Sequence, residues 1–305
     1  MTHIEKFKSK DKDYYRLVHN IRTKDKITHK TKYLGKEIPK KEELKKIEKE
    51  FLEEINKEGT KYFSKEEFQN IEDKKKKYTQ ELKKLSRIER EKKLEEFMIR
   101  YTYDSSKLSG VNITLRQTFL ILKEGIIPKE FKNLRIAKEI ENHEQGFIMI
   151  TKYNGVLDLT FIKKLHKLLM KGVNDEIAGK LRSELKRDVH IAGTPYIPPK
   201  WNELKKEIEN FFQWYKNNNR KLHPLELASL VHLKIISMQL FADGNSRLSR
   251  LLMNWILWKK NYPLIDIPIE DLENYYNALD YYQIEKNENH FVKYILKKYL
   301  IEKEI

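Results

Sequence analysis

One run holds the densest chemistry, Met238–Arg250, "MQLFADGNSRLSR". An acid, Asp243, stands beside Gly244 and Asn245, and Arg247 and Arg250 follow at a spacing that places them on adjacent turns of one helix. Leu225–Phe241, ahead of them, is apolar on every turn and predicts a buried helix. Ala242–Asn245 breaks that helix, and a second is predicted from Ser246. The first-turn N–H groups of a helix have no intrahelical partners, and with the helix dipole they draw anions. Gly244 lets backbone come close to an oxygen. The two arginines add fixed donors, and Asp243 is placed to hold Mg2+ bridging phosphates. The same residues also fit a plainer element, a helix start capped by Asn245 with two surface arginines. Just ahead stands Gln239, and an amide accepts no proton near neutral pH.

The run "FADGNSRLSRLLMNWIL" resembles the signature of the Fic (Fido-domain) family, His-Pro-Phe-x-Asp/Glu-Gly-Asn-Gly-Arg-x-x-Arg. Phe241, Asp243, Gly244, Asn245, Arg247 and Arg250 match it. "LHPLELASLVH" resembles the family's preceding helix and "RLLMNWILWKKNYPLIDI" its following helix and turn. "GTPYIPP" resembles its flap, "GKLRSELKRDVHI" the run before the flap, and "SSKLSGVNIT" its inhibitory helix. The resemblance covers about Tyr101–Lys298. It implies transfer of AMP from ATP to a protein hydroxyl, with the signature His as general base. Carried over by position, the catalytic positions are Gln239 and Asn245, and Asp243 is the Mg2+ residue. The nucleotide-binding positions are Gly244, Asn245, Ser246, Arg247 and Arg250. Thr194, Pro195, Tyr196, Ile197 and Pro198 form the flap that pairs with a target protein segment as an added strand.

Three departures in the loop matter more than the matches. Gln239 holds the position of the family His, so general-base catalysis, worth roughly 10²–10⁴-fold, is lost. Leu240 replaces the proline, a packing change. Ser246 replaces the second glycine, and its Cβ narrows the approach to phosphate. The inhibitory helix departs as well. Its family pattern is Ser/Thr-x-x-x-Glu-Gly, in which the Glu pairs with the second Arg. Ser105 and Gly110 stand in place, but Ser109 holds the Glu position, which leaves Arg250 without an inhibitory partner from this helix. Among other bases, His190 on the flap is the candidate surrogate. His223-Pro224 reads as a helix start, His232 as a core histidine, and His143 and His166 as surface or packing residues. No spacing of His residues suggests a metal site.

The elements that position this loop read as mainly α. Helices are predicted over Thr114–Glu124, Asn133–Asn154, Asp158–Met170, Trp201–Asn217, Pro224–Phe241, Ser246–Lys260, Asp271–Glu285 and His290–Glu302. A longer one spans Lys65–Tyr103, and another runs from Pro39 to Lys57, stopped by Gly59. Arg187–Pro199, "RDVHIAGTPYIPP", reads as extended, the β flap of a Fido-type core. Near the N-terminus a β-hairpin is predicted, Tyr14–Ile21 and Ile27–Leu34, turning at 23–26 and closed by Gly35. The boundary falls near residues 59–64, giving a basic hairpin-plus-helix module over 1–60 and the Fido-type helical domain over 61–305.

Composition sets the frame. The 305 residues carry 62 Lys+Arg against 46 Asp+Glu, a formal net charge of +16. Such a surface suits nucleic acid, nucleotides, acidic proteins or anionic membrane, and Lys/Glu-rich chains also use charge simply for solvation. The absence of Cys excludes disulfides and Cys-ligated zinc or iron–sulfur centres. No apolar run reaches membrane-spanning length and "MTHIEKFKSKDKDYY" has no apolar signal core, so a cytoplasmic protein without a membrane partner is expected. "YYRLVHNIRTKDKITHKTKYLGK" resembles a short module found ahead of some Fic proteins and in transposase-like proteins. Tyr14, Tyr15, Arg16, Arg22, Lys30 and Lys32 there suit a β-ribbon that reads nucleic acid, or a sheet edge that caps the neighbouring helices. The leading expectation is a Fic protein with a degenerate signature that binds nucleotide, ATP with Mg2+, but transfers AMP poorly or not at all. The alternatives are an active nucleotidyl transferase with a surrogate base, and a nucleic-acid or protein adaptor on a Fido scaffold.

Overall fold

The computed structural model describes residues 2–9, 12–22, 27–57, 60–129 and 134–301, without the side chains of 21, 22, 27, 28 and 53–57. The chain divides into two compact units, Met1–Lys61 and Tyr62–Ile305. The first holds strands β1 (Thr2–Ser9), β2 (Lys12–Arg22) and β3 (Ile27–Gly35), antiparallel in the order β1-β2-β3, and helix α1 (Lys41–Lys57). The expected hairpin is β2–β3, and its turn over 23–26 and the Gly59 stop lie outside the described residues. β1 was not foreseen, because "THIEKFKS" offers only Ile4 and Phe7 as apolar residues among charges. It pairs in register, Phe7 opposite Tyr14 and Glu5 opposite Arg16, while Arg16 faces Tyr33 on β3. One face therefore gathers the rings of Phe7, Tyr14 and Tyr33, with centroids 5.8–6.5 Å apart.

The second unit is helical. It comprises α2 (Lys65–Lys84), α3 (Arg87–Lys107), α4 (Leu115–Glu124), α5 (Arg135–Lys152), α6 (Leu159–Met170), α7 (Arg182–Leu185), α8 (Leu204–Asn218), α9 (Pro224–Met238), α10 (Asn245–Lys259), a 3-10 turn (Ile269–Asp271), α11 (Leu272–Glu285) and α12 (Glu288–Ile301). At its centre α9 packs on α10, and α3, α5, α6 and α12 surround the pair. Leu225, Ala228, Leu233, Ile235, Leu248, Leu251 and Trp255 are buried there. A continuous apolar helix such as α9 has no polar face to offer water, so it is stable only inside such a shell.

Four expectations need correction. The helix foreseen over 65–103 breaks at Leu85, because Ser86 caps α3 with a reciprocal box to Glu89. α9 ends at Met238 rather than Phe241, since Gln239 turns into the left-handed region at φ 45° and ψ 61°. α10 starts at Asn245, with Gly244 rather than Asn245 at the cap position. The flap forms no strand among the described residues: 187–199 is irregular chain. Pro195, Pro198 and Pro199 remove the N–H groups that a strand ladder needs.

Candidate functional site

The loop between α9 and α10 is held from within. Asn245 Oδ1 accepts from Phe241 N at 3.0 Å, and its Nδ2 donates to Phe241 O at 2.7 Å and to Gln239 Oε1 at 2.9 Å. Gln239 Nε2 in turn donates to Ile236 O at 2.8 Å. Both ends of the Gln239 amide are thus engaged. Gly244 takes φ 77°, and a Cβ there would lie 3.1 Å from Met170 Sδ and 3.3 Å from His166 Nε2. Only glycine meets both demands cheaply.

His166 is a packing residue that also fixes the loop. Its Nδ1 accepts from Gly179 N at 2.9 Å, which assigns the proton to Nε2, and Nε2 donates to Asp243 O at 2.9 Å. The ring stacks on Phe241 at 3.6 Å. Burial pushes its pKa down to about 4, so the ring is neutral near pH 7. The Asp243 carboxylate itself is exposed, accepting from Gly244 N at 2.6 Å and lying 3.9 Å from Arg247 Nη2. No group of three or more acidic or His side chains gathers around it or elsewhere among the described residues.

The two arginines of α10 are buried rather than displayed. Arg247 Nη1 donates to Glu139 Oε2 at 2.8 Å, and Glu139 Oε1 takes Arg135 at 3.0 Å. Arg250, 1% exposed, donates from Nε to Ser105 Oγ at 2.9 Å, and from Nη2 to Ser105 O at 2.6 Å and Ser109 Oγ at 2.7 Å. This corrects the expectation that the α3 end leaves Arg250 without a partner. Ser109 N donates to Ser106 O at 3.0 Å, so the Ser105 carbonyl stays open to side chains, as carbonyls at a helix C-terminus do. Gly110 closes the turn at φ 84° and is exposed. Arg250 Nη1 is buried with no hydrogen-bond partner. His143 and His232 near this charge are held neutral, primarily by burial and further by Arg250.

The flap lies alongside. Tyr196 OH donates to Ser237 O at 3.0 Å and Thr194 Oγ1 to Asp280 Oδ1 on α11 at 2.9 Å. Ile197 is 75% exposed, Pro195 lies between these anchors, and His190 is exposed. A groove of about 960 Å³ opens between the flap, α8, α9 and α11, lined among others by Tyr196, Pro198, Trp214, Lys234, Met238 and Tyr282. The structure therefore brings Gln239, Asp243–Arg247, Arg250, Ser105 and Ser109 around one loop, and sets the flap against the end of α9. Glu139, His166 and Arg182 were missed. Arg182 meets the loop through its backbone carbonyls, and the His166 hydrogen bond to it also goes to a carbonyl, contacts that no side-chain pattern announces. Among the described residues no helix is long and apolar enough to cross a membrane.

A buried helix pair joined by an Asp-Gly-Asn loop, two arginines on the second helix and a flap beside it define the helical Fic fold. Residues 156–257 match the Fic/DOC family. The chain is 30% identical over 194 residues to the Protein adenylyltransferase Fic of Drosophila melanogaster, covering 60% of this chain and 37% of that protein. Against the Drosophila virilis relative of the same name it is 29% identical over 204 residues, 64% of this chain and 39% of that protein. The chain spans a little over a third of the length of these relatives. A Fic domain containing signaling protein from Bacteroides thetaiotaomicron superposes with a TM-score of 0.66 at 26% identity, covering 76% of this chain and 92% of that one. Fic-1 of C. elegans shares the fold, with a TM-score of 0.65 at 19% identity over 86% of this chain and 75% of that one.

Proposed function

We propose that this chain is a nucleotide-binding Fic-domain protein whose signature is degenerate and whose AMP transfer is strongly impaired. The observation that carries this reading is the state of Gln239. Its Oε1 already accepts from Asn245 and its Nε2 already donates to Ile236 O, so the side chain at the position of the family base is a tied-back amide. Even released, it could not take a hydroxyl proton. Nucleotide binding draws on what remains. The first turn of α10, from Asn245 and Ser246, supplies backbone N–H groups to phosphate. Asp243 is a single exposed carboxylate, which suits Mg2+ held jointly by protein and phosphate oxygens. Bound there, the ion neutralises phosphate charge. The terminal phosphate is the natural partner for Arg250 Nη1, which has no hydrogen-bond partner, because a bond between two charged groups is stronger than one to a neutral oxygen.

The test is an ATP titration with and without Mg2+, repeated with Arg250→Met, beside label transfer from α-labelled ATP. Binding that needs Arg250, with no label transferred to the chain or to an extract, supports the reading. Robust transfer that survives Gln239→Ala would instead favour an active transferase with another base, His190 first. Absent binding would leave the Fic fold as a scaffold for a protein adaptor that uses the flap residues Thr194–Pro198.

A second reading concerns the first unit. The rings of Phe7, Tyr14 and Tyr33 share a sheet face with Arg16, whose guanidinium sits 4.9 Å over Phe7, and Tyr33 is 60% exposed. Aromatic platforms flanked by cations suit stacked bases. A nucleic-acid partner through residues 1–60 follows, with affinity that falls steeply as salt is added.

A further inference from the structure

Arg182 is fully buried, and three segments share its guanidinium. Nε donates to Gln239 O. Nη2 donates to Met238 O at 3.3 Å and to Pro199 O at 2.7 Å. Nη1 donates to Arg187 O at 3.2 Å, with Asp188 Oδ1 at 3.5 Å. The Arg182 amide adds a bond to Leu240 O at 2.9 Å, and its carbonyl accepts from Arg187 N at 3.1 Å. One residue thus grips three consecutive carbonyls, 238 to 240, and both feet of the flap, 187 and 199.

The chemistry of the grip is specific. Carbonyls at the end of α9 have no N–H partners and carry the negative end of the helix dipole, so a cation is favoured there. Only a planar fork with several donors can reach carbonyls from separate directions at once. A lysine presents three donors from a single point. Gln239 holds a left-handed conformation that ordinary residues avoid, and the carbonyls on both sides of it are turned onto Arg182.

We propose that Arg182 is a positioning residue which locks the flap and the loop-bearing end of α9 into one rigid body. It thereby sets where the side chain at 239 lies relative to a target segment on the flap. This assignment of roles rests on the proposed use of the loop and flap, but the rigid coupling does not. Without Arg182 the two segments open independently, and the distance between them is no longer defined.

The experiment is native-state hydrogen exchange by NMR on the full chain without nucleotide. The reporters are the amides of Arg187 and Trp201 at the flap feet, and of Gln239 and Phe241 at the loop. Each donates a defined bond: to Arg182 O, Asp188 Oδ1, Ile236 O and Asn245 Oδ1 respectively. In the natural chain the four share one opening event, with protection factors within about threefold and the same denaturant slope. In Arg182→Lys all four lose about tenfold or more, while Leu252 in the middle of α10 is unchanged. General loosening would move Leu252 as well. Flap-foot amides that exchange about tenfold faster than the loop amides in the natural chain overturn the proposal, as does a Lys variant that exposes one segment only. Should the Lys variant fail to fold, the natural chain decides alone. Because no nucleotide is present, a protein that binds none still tests the coupling.

Discussion

Two guanidiniums bracket the loop, and both are buried to within 1% exposure, yet their surroundings differ in kind. Arg182 is surrounded by backbone carbonyls, and each of its nitrogens has a partner. Arg250 faces a hydroxyl, a carbonyl and a second hydroxyl, and its Nη1 is left over. Carbonyls belong to the chain and cannot leave, so the Arg182 end of the loop is finished once the protein folds. Serine hydroxyls hold a cation weakly, so the Arg250 end is open to a better partner. The difference separates a cation whose donors are all taken from one with a donor to spare, although the sequence writes both simply as Arg.

The largest test of that contrast is stability. Arg182→Met leaves several buried carbonyls without donors, at about 1–3 kcal/mol each before relaxation, so a loss of roughly 3–5 kcal/mol is expected. Arg250→Met removes a buried charge that has no hydrogen-bonded carboxylate and replaces it with an apolar chain of similar reach. It should fall within about 1 kcal/mol of the natural protein or stabilise it. Urea midpoints at constant m-value measure both. Equal losses would erase the distinction.

Activity sharpens it next. If the finished end is intact, repair belongs at the loop itself. Gln239→His returns a base of unperturbed pKa about 6.5. Ser246→Gly then clears the Cβ from the phosphate approach. The double variant should exceed the single by up to about 10²–10³ in labelled AMP incorporated, the worth of one oxyanion-type donor. Equal rates would mean that Ser246 crowds nothing. If neither variant incorporates label, the loss extends beyond the loop.

Ser109→Glu should move two quantities in opposite directions. The carboxylate would meet Arg250 from the place where Ser109 Oγ now sits, 2.7 Å from Nη2. It should stabilise the fold by about 1 kcal/mol and weaken ATP by roughly tenfold, since one guanidinium cannot serve both anions. Thermal melts and an ATP titration read the pair. An unchanged ATP affinity would place the nucleotide elsewhere.

How much of this was legible in the sequence follows from what each residue touches. The loop could be read because Asp243, Gly244 and Asn245 are chemically distinctive and interrupt an otherwise apolar run. The α9–α10 pair could be read because burial on every side leaves a continuous apolar signal. The Ser86 break is written in the chain as Ser-x-x-Glu, but the apolar pattern runs on across it and masks the cap. Arg182 is hidden by its neighbours, since "GKLRSELKRDV" looks like solvated chain and nothing local marks one arginine as buried. A serine at position 109 in place of a glutamate reads as a missing partner. The fold instead supplies the Ser105 carbonyl and two hydroxyls, partners that a comparison of side-chain types does not count. The flap fails as a strand because its β propensity is overruled by three prolines.

The smallest effect is the most discriminating, because only one of the two arginines should produce it. His166, His143 and His232 are buried neutral, with folded pKa values below the ordinary 6.5; that of His166 lies at about 4. The unfolded chain therefore binds more protons than the folded one between pH 6.5 and about 4, and stability falls as pH drops through that window. Burial is the main cause at all three. At His143 and His232 the charge of Arg250 adds to it, while Arg182 is not among the causes at any of them. Arg250→Met should flatten the fall slightly, because His143 and His232 each regain part of their basicity while burial continues to oppose it. Arg182→Met should lower the whole curve and leave its slope unchanged. Urea titrations at half-unit pH steps resolve the two shapes. A slope altered by Arg182→Met, or untouched by Arg250→Met, would mean that the two cations do not divide the loop between them.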